Sequence, residues 1–271
     1  MAILDYQAIK FEGTSSENRL DALTVEEALQ VNVNGKPLMI TMRSPGNDIE
    51  LVRGLLHSED IFTATNEDIE ITVKSEDKQG VITAVNVNIS EDKLCDGYKN
   101  SRSFLSVSSC GICGQTELQE LKGELDKTGT FNPLDLKYMF ELMDGKQKTF
   151  RKSGGSHAAA AFDENGELMC VMEDIGRHNA VDKVIGALLL KKQLDDAVAI
   201  TVSGRISYEI VMKAFRAKIP VLAAVSAPSS LAVDYSKELG ITLFGFCRGK
   251  NATCYSNTHR INAIDQTRQI G

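Results

Sequence analysis

Cys110-Gly111-Ile112-Cys113, set within the segment FLSVSSCGICG, is the pair of residues in this chain best suited to covalent chemistry. Two thiols at that spacing can supply half of a tetrahedral zinc site, cycle between dithiol and disulfide, or carry a sulfur atom as a persulfide. Each use requires a thiolate. Gly111 keeps bulk away from the first sulfur, and Leu118, Leu121 and Leu125 stand at helical spacing just beyond. A helix starting near Thr116 brings its positive end close to the thiols and lowers a thiol pKa. The plain alternative is two packed, inert cysteines.

Ligand counting weighs against zinc. A closed site needs four ligands, yet Cys247 and Cys254 have six residues between them and no His-x-x-x-His occurs. Thioredoxin-like exchange expects the pair to open a helix after a buried strand, and FLSVS is too polar for that strand. Sulfur relay or another thiol exchange remains.

Three further constellations carry candidate binding groups. Glu173 to Lys183 reads EDIGRHNAVDK, with six ionisable side chains around an expected helix start. As a solvated, capped helix end it needs no function, but Arg177 and His178 at a helix N-terminus also suit an anion. Ser203-Gly204-Arg205-Ile206-Ser207 follows an apolar strand, where open α/β sheets bind ligands; either serine also suits a plain N-cap. Phe246-Cys247-Arg248-Gly249-Lys250-Asn251-Ala252-Thr253 reads as a basic turn after the last apolar strand, able to flank a base and meet phosphates. No Walker loop or GxGxxG supports ordinary ATP or NAD use.

The elements that must hold these residues are legible in the patterning. Alternation through Ala28–Met42 around Asn34-Gly35 predicts a type I′ hairpin. Asp48 is placed to cap a helix through His57, and Val81–Ser90 alternates as a strand with one wet face. Asn132-Pro133 predicts another helix start, with Pro at the first helical position, and 144–156 reads as a polar turn region. Beyond it come a hairpin (158–162 with 168–173), then helices over 177–191, 207–218 and 229–239 alternating with apolar strands 197–202, 221–225 and 241–246. Near-continuous apolar strands between helices imply parallel strands buried on both faces. The reading is α/β: a smaller, mostly antiparallel α+β domain over 1–104, a CxxC loop with connecting helices over 105–150, and an α/β domain over 151–271.

The 271 residues carry a formal net charge of −7, which argues against a bulk basic surface for nucleic acid. The N-terminus lacks a signal-peptide pattern, and no apolar run reaches the roughly 18 residues of a membrane span. Six cysteines are too sparse for a disulfide scaffold, so a reducing cytoplasm is expected.

Together the CGICG segment, GGSHAAA (154–160), EDIGRHNAVDK (173–183), SGRISYE (203–209) and VLAAVSAPSSLAV (221–233) resemble the FdhD/NarQ family of formate dehydrogenase accessory sulfurtransferases. The resemblance implies a homodimeric carrier. It takes sulfur from a cysteine desulfurase onto the first cysteine, here Cys110, with Cys113 as partner. It then delivers the sulfur to the molybdenum or tungsten bis-molybdopterin guanine dinucleotide cofactor before insertion into the formate dehydrogenase apoenzyme. The family's guanine-dinucleotide pocket falls on Cys247–Ala252, and its C-terminal fold is cytidine-deaminase-like with three layers. Zinc deaminases need His-x-Glu and Pro-Cys-x-x-Cys; the matching positions here hold His178-Asn179-Ala180 and Ser203–Ser207. Deaminase chemistry is therefore not expected, and no zinc either. Arg177, His178, Ser203, Arg205, Arg248 and Lys250 are the candidates for the dinucleotide, with Phe246 beside them. A chaperone that binds the cofactor without carrying sulfur is the alternative.

Overall fold

A computed structural model describes residues 2–101, 106–107, 125 and 131–262. Cys110, Cys113 and the helix expected from Thr116, apart from Leu125, lie outside the described residues. The chain begins with a two-stranded ribbon, β1 (Ile3–Glu12) and β2 (Ser15–Thr24), which joins no other sheet. Most of its side chains are exposed, apolar ones of β1 such as Ile9 and Phe11 included, so its pattern marks no core.

A five-stranded sheet follows, built from β3 (Glu27–Val33), β4 (Lys36–Arg43), β5 (Glu70–Glu76), β6 (Ile82–Asn88) and β7 (Ser106–Val107), in the order β5-β6-β3-β4-β7. The β3–β4 turn has positive φ at both Asn34 and Gly35, as type I′ requires. The expected antiparallel character holds only in part, because β6 runs parallel to β3 and β7 parallel to β4. Val85 and Val87 are buried as the alternation predicts, but Asn86 on the opposite face is buried too. It accepts a hydrogen bond from Gly35 N, and so ties the turn to β6.

Helix α1 (Asp48–Ser58) packs Leu51, Val52, Leu55 and Leu56 on this sheet, each full burial contributing roughly 1.5–3 kcal/mol. Asn47 occupies the cap position instead of Asp48, whose carboxylate pairs with the fully buried Arg43 at 2.7 Å. A short helix α2 (Asp96–Ser101) follows β6.

The larger sheet has six strands in the order β13-β12-β11-β10-β8-β9. These are β8 (His157–Phe162), β9 (Leu168–Asp174), β10 (Ala199–Val202), β11 (Val221–Ala224), β12 (Thr242–Arg248) and β13 (Asn251–Ser256). The expected β10, β11 and β12 are parallel. Ile200, Val202, Leu222, Ala224 and Leu243 face the core shared with α5 (Arg177–Leu190), α6 (Tyr208–Arg216) and α7 (Ser230–Glu238). Ala199, Val221, Ala223 and Phe244 face α3 (Asp135–Lys146), which supplies Leu136, Met139 and Met143. Burial on both faces is why these strands read as unbroken apolar runs.

Pro133 lies in the turn before α3, not at its first position. The polar stretch after α3 holds a further helix, α4 (Lys148–Ser153). Short polar helices carry little periodicity, and this one is held from outside: the Glu173 carboxylate accepts from Thr149 N and Phe150 N at 2.8 Å each.

Candidate functional site

Strand directions bring the candidate segments to one edge. β10, β11 and β12 end there; β8 is antiparallel to β10 and so begins there, and β9, antiparallel to β8, ends there. His157, Asp174, Ser203 and Val225 therefore share the carboxyl edge of the parallel strands. Backbone bonds lace the loops together: Ile206 N to Ala227 O, Ser229 N to Ile206 O, and Phe246 N to Ser226 O. Gly245 permits this packing, because a Cβ there would lie 2.7 Å from Pro228 Cδ.

At the β8–β10 end, Ser203 Oγ accepts from Ala158 N at 2.9 Å and lies 3.4 Å from His157 Nδ1. A Cβ on Gly204 would sit 3.3 Å from both His157 Cε1 and Arg177 Cδ, so a bare backbone is what admits these two side chains. Arg177 Nε is buried without a hydrogen-bond partner, and neither Arg177 nor the exposed Arg205 pairs with a carboxylate among the described residues. Burial, then the charges of Arg177 and Arg205, push the His157 imidazole below its usual pKa. The cluster is two open guanidiniums beside a neutral imidazole, at the start of the 14-residue helix α5. That chemistry suits a phosphate or pyrophosphate. His157 is not among the expected binding residues, and its place as the first, polar residue of the otherwise apolar strand β8 is the signal that finds it.

His178 does not join the open cluster. It is buried, its Nε2 lies 3.0 Å from Ser207 Oγ and 3.8 Å from Glu209 Oε2, and it points into the protein. Its expected ligand contact becomes a positioning one: it fixes the loop that carries Arg205. Ser207 stands at the N-cap of α6, but its hydroxyl serves His178, and Ser203 serves β8; neither side chain caps the helix.

Most of the remaining charged segment is interior. Asp174 Oδ2 lies 2.8 Å from Lys183 Nζ, which also donates to Ser44 O at 3.0 Å, and Ser44 N donates back to Asp174 at 3.1 Å. Asn179 Nδ2 donates to Met42 O. Asp182 accepts from Lys213 Nζ at 2.9 Å and from Ser58 Oγ at 2.7 Å. Asp174, Asp182 and Lys183 are almost wholly inaccessible, so the solvated helix end is not what forms. These groups join α5 to α1 and the small sheet.

The segment read as a basic turn is a tight hairpin, since β13 follows β12 after Gly249-Lys250. Phe246, with φ +54°, is half exposed, while Arg248, Gly249, Lys250, Asn251 and Ala252 face solvent. Arg248 Nε donates to Val225 O at 3.3 Å. Cys247 points inward, and burial pushes its thiol up to about 12, which removes it from thiolate chemistry. Cys247, Gly249 and Asn251 form one wall of a cavity of about 330 Å³ whose other wall is α3, with Phe140, Glu141 and Asp144. That volume is at the lower end for ligand pockets and suits one fragment of a large ligand.

Residues 24–262 match the model of the FdhD/NarQ family. The chain belongs to the FdhD/NarQ family. It is 40% identical over 265 residues to the sulfur carrier protein FdhD of Streptomyces avermitilis, covering 94% of each chain. It is also 40% identical to that of Sulfolobus acidocaldarius over 243 residues, 89% of this chain and 92% of the relative. The crystal structure of a chain described as a formate dehydrogenase accessory protein, from Desulfotalea psychrophila, superposes with a TM-score of 0.77. It covers 97% of this chain and all of that one at 21% identity, which shows the shared fold. The mixed α/β architecture read from the sequence agrees with it. No helix among the described residues is long and apolar enough to cross a membrane.

Proposed function

We propose that this chain is a cytoplasmic sulfur carrier. It accepts persulfide sulfur from a cysteine desulfurase on Cys110. It then passes the sulfur to the molybdenum or tungsten bis-molybdopterin guanine dinucleotide cofactor, its substrate, before that cofactor enters formate dehydrogenase. Relatives of nearly the same length carry the name sulfur carrier. The observation that carries the cofactor side of the reading is the pair of open guanidiniums, Arg177 and Arg205, on the same sheet edge as the cavity beneath Cys247–Asn251. A dinucleotide with its pyrophosphate on the arginines and a base toward the cavity uses both. The C-terminal sheet and its helices are read as the cytidine-deaminase-like layer, with residues 1–104 and 105–150 as the small domain and the thiol-bearing connection.

In the first step the Cys110 thiolate attacks the outer sulfur of the donor's persulfide. The donor's S–S bond breaks, its cysteine leaves as thiolate, and no net oxidation occurs. Delivery as sulfide takes two electrons. Attack of Cys113 on the inner sulfur supplies them, leaving a Cys110–Cys113 disulfide that an external dithiol must reduce; a purely shielding Cys113 instead leaves that reduction to an outside thiol. With ³⁵S-labelled cysteine, desulfurase and this chain, label is expected on the wild type and absent from Cys110→Ala, while Cys113→Ala retains it. Normal labelling of Cys110→Ala overturns the assignment. Guanine-nucleotide binding with no persulfide by mass spectrometry favours a cofactor chaperone.

A further inference from the structure

His157 stands where several elements meet, and the acids those elements carry are already engaged. It is the first residue of β8 and pairs in register with Asp174 of β9. Asp174 is matched by Lys183 at 2.8 Å. Glu173, beside it, accepts from Thr149 N, Phe150 N and Ser156 Oγ. Glu209, beyond the loop after β10, lies 3.8 Å from His178. Helix α4, just before β8, exposes Arg151 and Lys152 and carries no acid. Burial first, then the charges of Arg177 and Arg205, keep a proton off the imidazole against a weaker pull from Asp174.

The ring is nevertheless placed to hold either charge. Its Nδ1 lies 3.4 Å from Ser203 Oγ, which already accepts from Ala158 N at 2.9 Å. A hydroxyl has one proton and two lone pairs, so Ser203 can donate to a bare Nδ1 or accept from a protonated one. With Nδ1 accepting, the neutral ring carries its proton on Nε2, and a second proton on Nδ1 leaves that donor in place. Nε2 has no hydrogen-bond partner among the described residues and stays accessible. Gly204 brings the ring and Arg177 to one point, since a Cβ there would lie 3.3 Å from each.

We propose that His157 reads the charge of the ligand: the ring is neutral in the empty site and takes one proton from solvent, on Nδ1, when a pyrophosphate diester settles on Arg177 and Arg205. This rests on the pyrophosphate placement proposed above. The two negative charges of such a ligand offset the two guanidiniums, and an imidazolium then adds a third charge-assisted donor through Nε2. A ligand with one charge offsets only one guanidinium and recruits less of the proton, so the site favours two charges over one. The sign of the pH dependence follows. The empty ring titrates below the ordinary 6.5 and the bound ring above it. Affinity is therefore greatest at the acid end of that window and falls as pH rises through it, by at most about tenfold per pH unit for one proton. Below the window the ring is charged in both states, and above it in neither.

The test is calorimetry on the full chain with GDP-glucose, a pyrophosphate diester. It lacks the terminal phosphate proton of GDP, which titrates near about pH 6 and would mask the effect. In buffers of different ionisation enthalpy at pH 6.5, uptake of about half a proton or more per ligand is expected, and affinity should fall at least about threefold from pH 6 to pH 7.5. His157→Gln, which keeps a donor but cannot be charged, should bind with no proton uptake and no pH slope. A residue that only shapes the loop would lower affinity and leave the slope unchanged. Without any substitution, the His157 ring followed by NMR in the wild type should titrate at higher pH with GDP-glucose than without it. Binding without proton uptake, uptake that survives His157→Gln, or a ring that titrates alike in both states overturns this proposal alone. No binding of GDP-glucose at millimolar concentration overturns the pyrophosphate placement with it.

Discussion

Arg177 and Arg205 are available because the acids near them in sequence are committed elsewhere. Asp174 is held by Lys183, and Glu209 lies beside His178. Charge-assisted hydrogen bonds contribute about 1.5–3 kcal/mol, so Arg177→Ala and Arg205→Ala should each weaken GDP binding by roughly tenfold or more in calorimetry. Arg177→Lys should recover only part, since an ammonium lacks the fork that grips two phosphate oxygens. Unchanged affinity in both alanine variants would move the pyrophosphate off this cluster. Cys247→Ala, by contrast, should leave ³⁵S loading intact, because burial holds that thiol protonated. At this scale the sequence shows which residues are reactive in kind and not which are spent. EDIGRHNAVDK looks uniformly charged, but the helical turn sends Asp182 and Lys183 inward and leaves Arg177 at the edge.

Helices α1 and α5 pack backbone against backbone, and two glycines allow it. A Cβ on Gly54 would fall 1.9 Å from Asp182 O, and one on Gly186 would fall 1.8 Å from Glu50 O. In both cases the obstacle is backbone, which cannot swing aside. Gly186→Ala should therefore cost about 3 kcal/mol or more despite its better helix propensity, read as a lowered urea midpoint. A neutral or stabilising result would mean the helices separate easily. Elements such as α5 and β10–β12 were legible because burial on most faces leaves dense, near-continuous apolar stretches in the sequence. Helix α4 was not, because it is short and polar and is held by a residue distant in sequence, the Glu173 carboxylate; the ribbon β1–β2 was not, because its apolar side chains stay exposed and follow no core.

As a whole molecule, the two sheets are joined through buried polar contacts and should lose structure together. His57 Nε2 of α1 donates to Arg216 O at the end of α6, 3.1 Å away, and its Nδ1 is buried without a partner. Burial first, with help from Arg53 and Arg216, lowers its pKa from 6.5 to about 4. Above pH 6.5 both states are neutral and stability is complete. As pH falls from 6.5 to 4 the unfolded chain takes a proton that the folded chain refuses, so roughly 3 kcal/mol is lost across that window. Urea titrations of wild type and His57→Gln should differ by this slope, and identical pH profiles would remove His57 from the account. The sequence by itself determined the Cys-x-x-Cys spacing, the α/β rhythm of the second half and the family, because these rest on residue type and local spacing. Only the tertiary structure decided that strand ends gather His157, Arg177 and Ser203 at one edge, that His178 and Cys247 turn inward, and that apolar side chains of the β1–β2 ribbon stay exposed. Those outcomes depend on strand direction and on which face of each element is buried, and no local stretch of sequence encodes either.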